Sequence, residues 1–366
     1  MSSSAGKSLL VTALARVFAR RGVRVAPFKA QNMSNNARVV DGGEIGVAQY
    51  LQALAAGVEP DVRMNPVLVK PEAEMRSQVV VLGRADLELS RRPWLERPAA
   101  LWPVAEAALR ELVAEYELVL LEGAGSPAET NLRDADLANM RSARAAQAPV
   151  VLVADIDRGG AFAHLFGTWS LVADEERPLL RGFVLNKFRG DPALLGNAPP
   201  ELAARTGMAY VGLLPYLAHG LPDEDGAPAG AARPGAPRVA VLAYPTASNV
   251  DELKRLEEAV ELVPVRDPAD LAGARLIVLP GSKHVAADLA WLRGRRLDRS
   301  LEEAAAAGTP VLGICAGLQM LGEEIVDTAG IDGSAAGLGL LPVRTVFGRE
   351  KLTERVRVAF GRLERP

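Results

Sequence analysis

The sequence predicts an α/β protein in two units, the larger a doubly wound parallel sheet, and three observations lead there. Short apolar runs such as Leu118-Val-Leu-Leu121, Val150-Val-Leu-Val-Ala154 and Phe183-Val-Leu185 alternate with amphipathic helical stretches, the pattern of buried parallel strands joined by helices. Each run ends in a polar or charged residue, and open parallel sheets gather their ligands at those strand ends. From 226 to 237 every residue except Arg233 is Gly, Ala or Pro, a composition that packs no core and reads as a linker.

With 366 residues the chain exceeds one ordinary core, which fits two domains. A net charge of −3 gives no reason to expect nucleic acid or a membrane surface as partner. The single cysteine excludes an intrachain disulfide and fits a reducing cytoplasm. No uninterrupted apolar run approaches the roughly 18 residues of a membrane helix, so a cytoplasmic location is expected.

Taken in order, Gly6-Lys7-Ser8 runs straight into an apolar helical pattern, as the end of a phosphate-binding loop does. There backbone N–H groups cradle phosphates, Lys7 reaches the β/γ-phosphates and the Ser8 hydroxyl binds Mg²⁺. The leading glycine and preceding strand of such a loop are missing, so the sequence reads as starting within it. Residues 24–29 form a strand ending at Lys29, a second phosphate candidate, before a polar loop over 30–36. Asp41-Gly-Gly-Glu-Ile-Gly46 is a glycine-rich turn with two carboxylates, opening a helix over 47–56. Strands are expected at 64–71 and 78–82, and an amphipathic helix over 102–116. Leu118-Val-Leu-Leu-Glu-Gly-Ala-Gly125 places Glu122 at a strand end, where a metal-side acid belongs. Asp134, Asp136, Asp155 and Asp157 follow in loops of the same kind, as do Asn186 and Lys187.

Beyond the linker, residues 238–242 and 276–282 read as strands and 251–260 as a helix. Then Val311-Leu-Gly-Ile-Cys-Ala-Gly-Leu-Gln-Met-Leu-Gly322 has the form of a nucleophile elbow. A buried strand, a sharp turn and a helix hold the Cys315 thiol outward, and a helix N-terminus there favours the thiolate. The backbone N–H groups of Ala316 and Gly317 are the expected oxyanion donors.

The motifs Gly6-Lys7-Ser8, Phe28-Lys-Ala-Gln-Asn-Met-Ser34, Gly42-Gly-Glu-Ile-Gly46, Met64-Asn-Pro-Val-Leu-Val-Lys-Pro71, Glu122-Gly-Ala-Gly-Ser-Pro127, Asp155-Ile-Asp-Arg-Gly-Gly160, Asn186-Lys-Phe-Arg-Gly190 and Leu279-Pro-Gly-Ser-Lys283 occur together and in order. With the Cys315 elbow, they make the chain resemble the adenosylcobyric acid synthase family over essentially its whole length. The resemblance implies a dethiobiotin-synthetase-like ATP domain at 1–222, a linker at 223–237 and a class I glutamine amidotransferase domain at 238–366. It implies ATP and Mg²⁺ as cofactors. The substrates would be glutamine and a corrinoid, adenosylcobyrinic acid a,c-diamide, amidated at its b, d, e and g carboxylates.

In that scheme Gly6, Lys7, Ser8 and Lys29 hold phosphates, and Asn186 and Lys187 resemble an adenine-side loop. Ser8 and Glu122 face the metal, with Asp41 or Glu44 as further candidates. Asp134, Asp136, Asp155 and Asp157 order the acyl phosphate or the ammonia, or else cap helices. Two departures stand out. Ala316 occupies a position where the family more often has glycine, and the base histidine of the family lies downstream of the cysteine. All three histidines here, His164, His219 and His284, lie upstream. The sequence therefore predicts a nucleophile without its base, an incomplete C-terminal domain and weak glutaminase chemistry. Rival readings are the sister a,c-diamide synthase, a ParA-like nucleotide switch and a truncated pseudo-enzyme.

Overall fold

The computed structural model describes residues 4–73, 76–219, 221, 235–328, 330 and 332–348. Most of the 226–237 run therefore lies outside the described residues. Helix α1 (Lys7–Arg20) starts from Gly6, whose φ of 89° is open to glycine at little cost. Strand β1 (Val25–Phe28) is fully buried, and β2 (Gln31–Met33) leaves it after a sharp bend. A hairpin of β3 (Ala37–Val40) and β4 (Gly43–Gly46) leads into α2 (Val47–Ala56), which Gly57 closes in the left-handed conformation. Strands β5 (Val67–Ala73), β6 (Arg76–Val81) and β7 (Arg84–Asp86) follow, then α3 (Leu87–Arg91) and the long α4 (Arg97–Glu115). The doubly wound part continues through β8 (Leu118–Leu121), α5 (Met140–Ala146), β9 (Val150–Asp155), α6 (Ala161–Leu171), β10 (Leu180–Phe188), α7 (Ala198–Thr206) and β11 (Ala209–Pro215).

Its ladders are parallel, as the apolar runs predict, but they form two pieces among the described residues, β1-β8 and β11-β10-β9. A separate four-stranded sheet, β2-β5-β6-β7, packs beside them, with Phe28, Met64, Val67, Val69 and Leu109 in one shared core. The expected polar loop at 30–36 thus contains a strand, β2, which pairs in parallel with β5. Its sequence, Gln-Asn-Met, carries no strand signal, and pairing with an apolar neighbour decides its conformation.

The second unit comprises β12 (Arg238–Leu242), β13 (Ala247–Ser248), β14 (Glu261–Val265), β15 (Leu276–Leu279), β16 (Gly281–Ser282), α8 (Val285–Gly294), α9 (Leu297–Ala306), β17 (Val311–Gly313) and α10 (Ala316–Leu321). Its parallel sheet has the order β14-β12-β15-β17 around a core of Leu242, Ile277, Leu279, Leu289 and Leu301. Where a helix is expected over 251–260, the structure has a 3₁₀ stretch, Val250–Glu258. Val250 and Leu253, three apart, both pack inward, the spacing at which that tighter helix aligns side chains. No helix among the described residues is long and apolar enough to cross a membrane.

Candidate active site

The parallel register of β1 and β8 sets Phe28 opposite Leu121, so the next residues, Lys29 and Glu122, emerge side by side at the strand ends. Lys29 Nζ lies 3.1 Å from Glu122 Oε1, and the two residues are only 4% and 2% exposed. The Ser8 hydroxyl donates to the same oxygen at 2.7 Å, and Gln52 Nε2 donates to Oε2 at 2.5 Å. Burial pushes the Glu122 carboxyl up, but Lys29 and the donors Ser8 and Gln52 outweigh it and hold the group below its ordinary range. Lys7 reaches the Gly125 carbonyl at 3.5 Å across the glycine loop that follows Glu122.

The loop before α1 is gripped from the far side. Asn186 Nδ2 donates to the Ala5 carbonyl at 2.8 Å, so close that a Cβ on Gly6 would lie 2.2 Å from that nitrogen. Lys187 Nζ donates to the Ser4 carbonyl at 2.6 Å and pairs with Asp155 at 3.0 Å. Asp155 also accepts from the Asp157 N–H, while the Asp157 side chain pairs with Arg189. These residues hold the loop's backbone in place.

The other predicted acids are placed differently. Asp41 is exposed in the turn of the β3–β4 hairpin, and Glu44 pairs with the buried Lys70 at 2.5 Å. Asp134 is exposed. Asp136 accepts from the backbone of Ala138 and Asn139 and from Asn139 Nδ2, which also holds the Ala124 carbonyl at 2.6 Å. Asp136 therefore shapes the glycine loop, and burial pushes its carboxyl up. Sequence reasoning missed Gln49 and Gln52, both wholly buried on α2. Their signal was two amides three residues apart in an otherwise apolar helix.

A cavity of about 980 Å³ opens from this cluster towards the second unit. Lys7, Lys29, Glu122 and Lys187 line one side and Tyr244 and Arg266 the other. Excess positive charge suits an anionic ligand.

Cys315 forms the predicted elbow. It is exposed, with φ 52° and ψ −112°, between a three-residue strand and a six-residue helix. Its two glycines are required by contact. A Cβ on Gly313 would lie 2.6 Å from the Leu318 nitrogen, and one on Gly317 would lie 1.9 Å from the Leu279 oxygen. The Gly317 N–H, expected to face an oxyanion, donates to the Ile314 carbonyl at 2.9 Å. Tyr244 is buried, donates to the Pro280 carbonyl, and has its phenol pushed well up by burial and by Asp288 and Cys315 nearby. Among the described residues no histidine hydrogen-bonds Cys315. His284 Nδ1 is held 2.8 Å from Asp332 Oδ1.

Comparison with known proteins agrees with this two-part picture. The family model for the CobQ/CobB/MinD/ParA nucleotide binding domain matches residues 1–220. That for the CobB/CobQ-like glutamine amidotransferase domain matches 238–364. A protein named cobyric acid synthase from Variovorax paradoxus is 57% identical over 368 residues, covering 99% of this chain and 77% of that one. One of the same name from Paracidovorax citrulli is 58% identical over 377 residues, with 99% and 77% coverage. A third, from Polaromonas sp., is 55% identical over 388 residues and covers 99% and 76%.

Proposed function

We propose that this protein uses ATP to activate corrinoid carboxylates and converts them to amides, reasoning from one premise: the chain belongs to the cobyric acid synthase family. Membership makes it an amidoligase of cobalamin biosynthesis with a nucleotide-binding domain. The finer steps are our reading. The substrate is adenosylcobyrinic acid a,c-diamide, amidated at b, d, e and g, and the nitrogen comes from glutamine or free ammonia. Residues 1–222 act as the ligase domain, 223–237 as linker and 238–366 as the amidotransferase domain, in the cytoplasm.

The buried Ser8–Lys29–Glu122 cluster beside the glycine loop supports this reading most. A carboxylate is a poor electrophile until one oxygen becomes phosphate. Its oxygen attacks the γ-phosphorus of ATP, ADP departs, and ammonia then displaces phosphate from the acyl carbon with loss of a proton. Lys7 and Lys29 neutralise the phosphoryl oxygens in flight. Ser8 and Glu122 supply the hard oxygen donors that suit Mg²⁺, and the buried Gln52 Oε1, without a partner among the described residues, can add a third. When bound, the cation adds charge neutralisation at the same phosphates. In the second unit Cys315 attacks the glutamine carboxamide, ammonia departs, and water hydrolyses the thioester to glutamate. Ala316 N–H is the remaining oxyanion donor at the elbow.

Amide formation measured with ammonium or glutamine tests the reading. Glu122→Gln should lose both activities by at least about 100-fold, the scale of losing a preorganised charged group. Cys315→Ala should lose only the glutamine-supported rate. Ammonium-dependent amidation surviving in the first variant, or glutamine-dependent amidation in the second, overturns it.

A further inference from the structure

The two units are joined by a reciprocal clip at the edge of the cavity, which Asn36 helps to line. Asn249 N–H donates to Asn36 Oδ1 at 2.9 Å, and Ala37 N–H donates to Asn249 Oδ1 at 3.0 Å. Beside them Arg38 pairs closely with the buried Asp251 and lies 3.5 Å from Glu252. Asn249 is held at φ 56° and ψ 28°, a left-handed conformation that asparagine tolerates better than most residues.

Each half of the clip leads directly to one reaction centre. The Asn36 carbonyl accepts from Val47 N–H at 3.1 Å, at the start of α2, and α2 carries Gln52 to Glu122. On the other side Asn249 follows β13, where Ser248 pairs with Gly281 of β16 so tightly that a Cβ on Gly281 would meet Ser248 Oγ at 2.8 Å. Two residues earlier, the Leu279 carbonyl accepts Ile314 N–H at 2.9 Å and sits against Gly317. Cys315 is thus braced by the same turn that the clip grips.

We infer that Asn249 is a positioning residue, through which the state of the Ser8–Lys29–Glu122 cluster sets the orientation of the Cys315 elbow. The inference rests on the proposed nucleotide site and deepens it. With only a two-residue ladder and a glycine turn between them, a shift of α2 on binding phosphate would reach the elbow through these contacts.

Cys315 is the sole cysteine, so its alkylation rate reports on the elbow without any need for turnover. The full chain is alkylated with iodoacetamide with and without ATP and Mg²⁺, and nucleotide binding is measured separately by calorimetry. In the wild type, nucleotide should change the rate about fivefold, the lower end of typical coupling between sites. Asn249→Gly keeps the left-handed backbone and removes only the side-chain acceptor. It should bind nucleotide normally and lose the response. Asn249→Asp, which keeps the acceptor oxygen, should restore it. A glycine variant that responds like the wild type, or a wild type that binds nucleotide without changing its alkylation rate, overturns the inference. Absence of nucleotide binding to the wild type overturns the proposed site, and the coupling falls with it. A merely structural clip would lower thermal stability in Asn249→Gly yet leave the nucleotide response in place, which also counts against the proposal.

Discussion

Lys29 and Glu122 are held almost wholly out of water, and neither would be stable there as a charge without the other. Replacing Lys29 by Met strands the carboxylate, and such losses cost about 3–5 kcal/mol. Denaturant unfolding at neutral pH should show that loss. The pH dependence follows from the depressed Glu122 carboxyl. Its contribution is complete above the ordinary value of 4.5 and is lost as pH falls through the lower folded value. The gap between wild type and Lys29→Met should therefore narrow below that pH. A gap that widens on acidification would contradict the pairing. Lys29 and Glu122 were legible in the sequence because each follows an apolar strand run directly. Gln52 was not, since only the packing of α2 on β1 brings its amide to Glu122.

The elbow, as an element, was legible for the opposite reason: its requirements are local. Glycines two residues either side of a cysteine matter because backbone from Leu279 and the α10 turn approach within contact distance. Gly317→Ala should cost about 1–3 kcal/mol as an overpacked contact, seen in thermal or denaturant unfolding. It should reduce glutamine-supported amidation while leaving the ammonium-supported rate in place; an equal loss of both rates would place the defect elsewhere. Other elements were hidden because long-range pairing decides them. The β2-β5-β6-β7 sheet begins with a polar triplet, and the stretch over 250–258 has a period that suits three residues per turn as well as 3.6. The elbow pattern alone predicts an oxyanion role for the Gly317 N–H, whereas in the structure that N–H donates to the Ile314 carbonyl within the turn.

At the scale of the whole molecule, the cavity between the units is lined by lysines from one and by Arg266 from the other. A nucleotide that binds there at about 100 times its dissociation constant should add about 2.7 kcal/mol to the stability of the site. Scanning calorimetry with and without ATP and Mg²⁺ checks this, and Lys29→Met should abolish the shift. An unchanged transition in the wild type would remove the cavity as the nucleotide site. That the chain holds two α/β patterns was readable from the alternation of apolar runs and helical stretches. The contact between them was not, because Asn36, Arg38, Asn249 and Asp251 look like ordinary loop polars until the fold brings them together.

The β1–β8 ladder also has a kinetic consequence. Lys29 and Glu122 are 93 residues apart in sequence, and between them lie the hairpin, α2, a complete antiparallel meander and α4. Closing so long a loop carries an entropic cost that must be met before the ladder rewards it, and parallel pairing at such separation is slow. Local helices and the β5–β6–β7 meander can form early, whereas the acid and its lysine meet only after the intervening chain has collapsed. Refolding chains therefore acquire their secondary structure well before Lys29 and Glu122 come together.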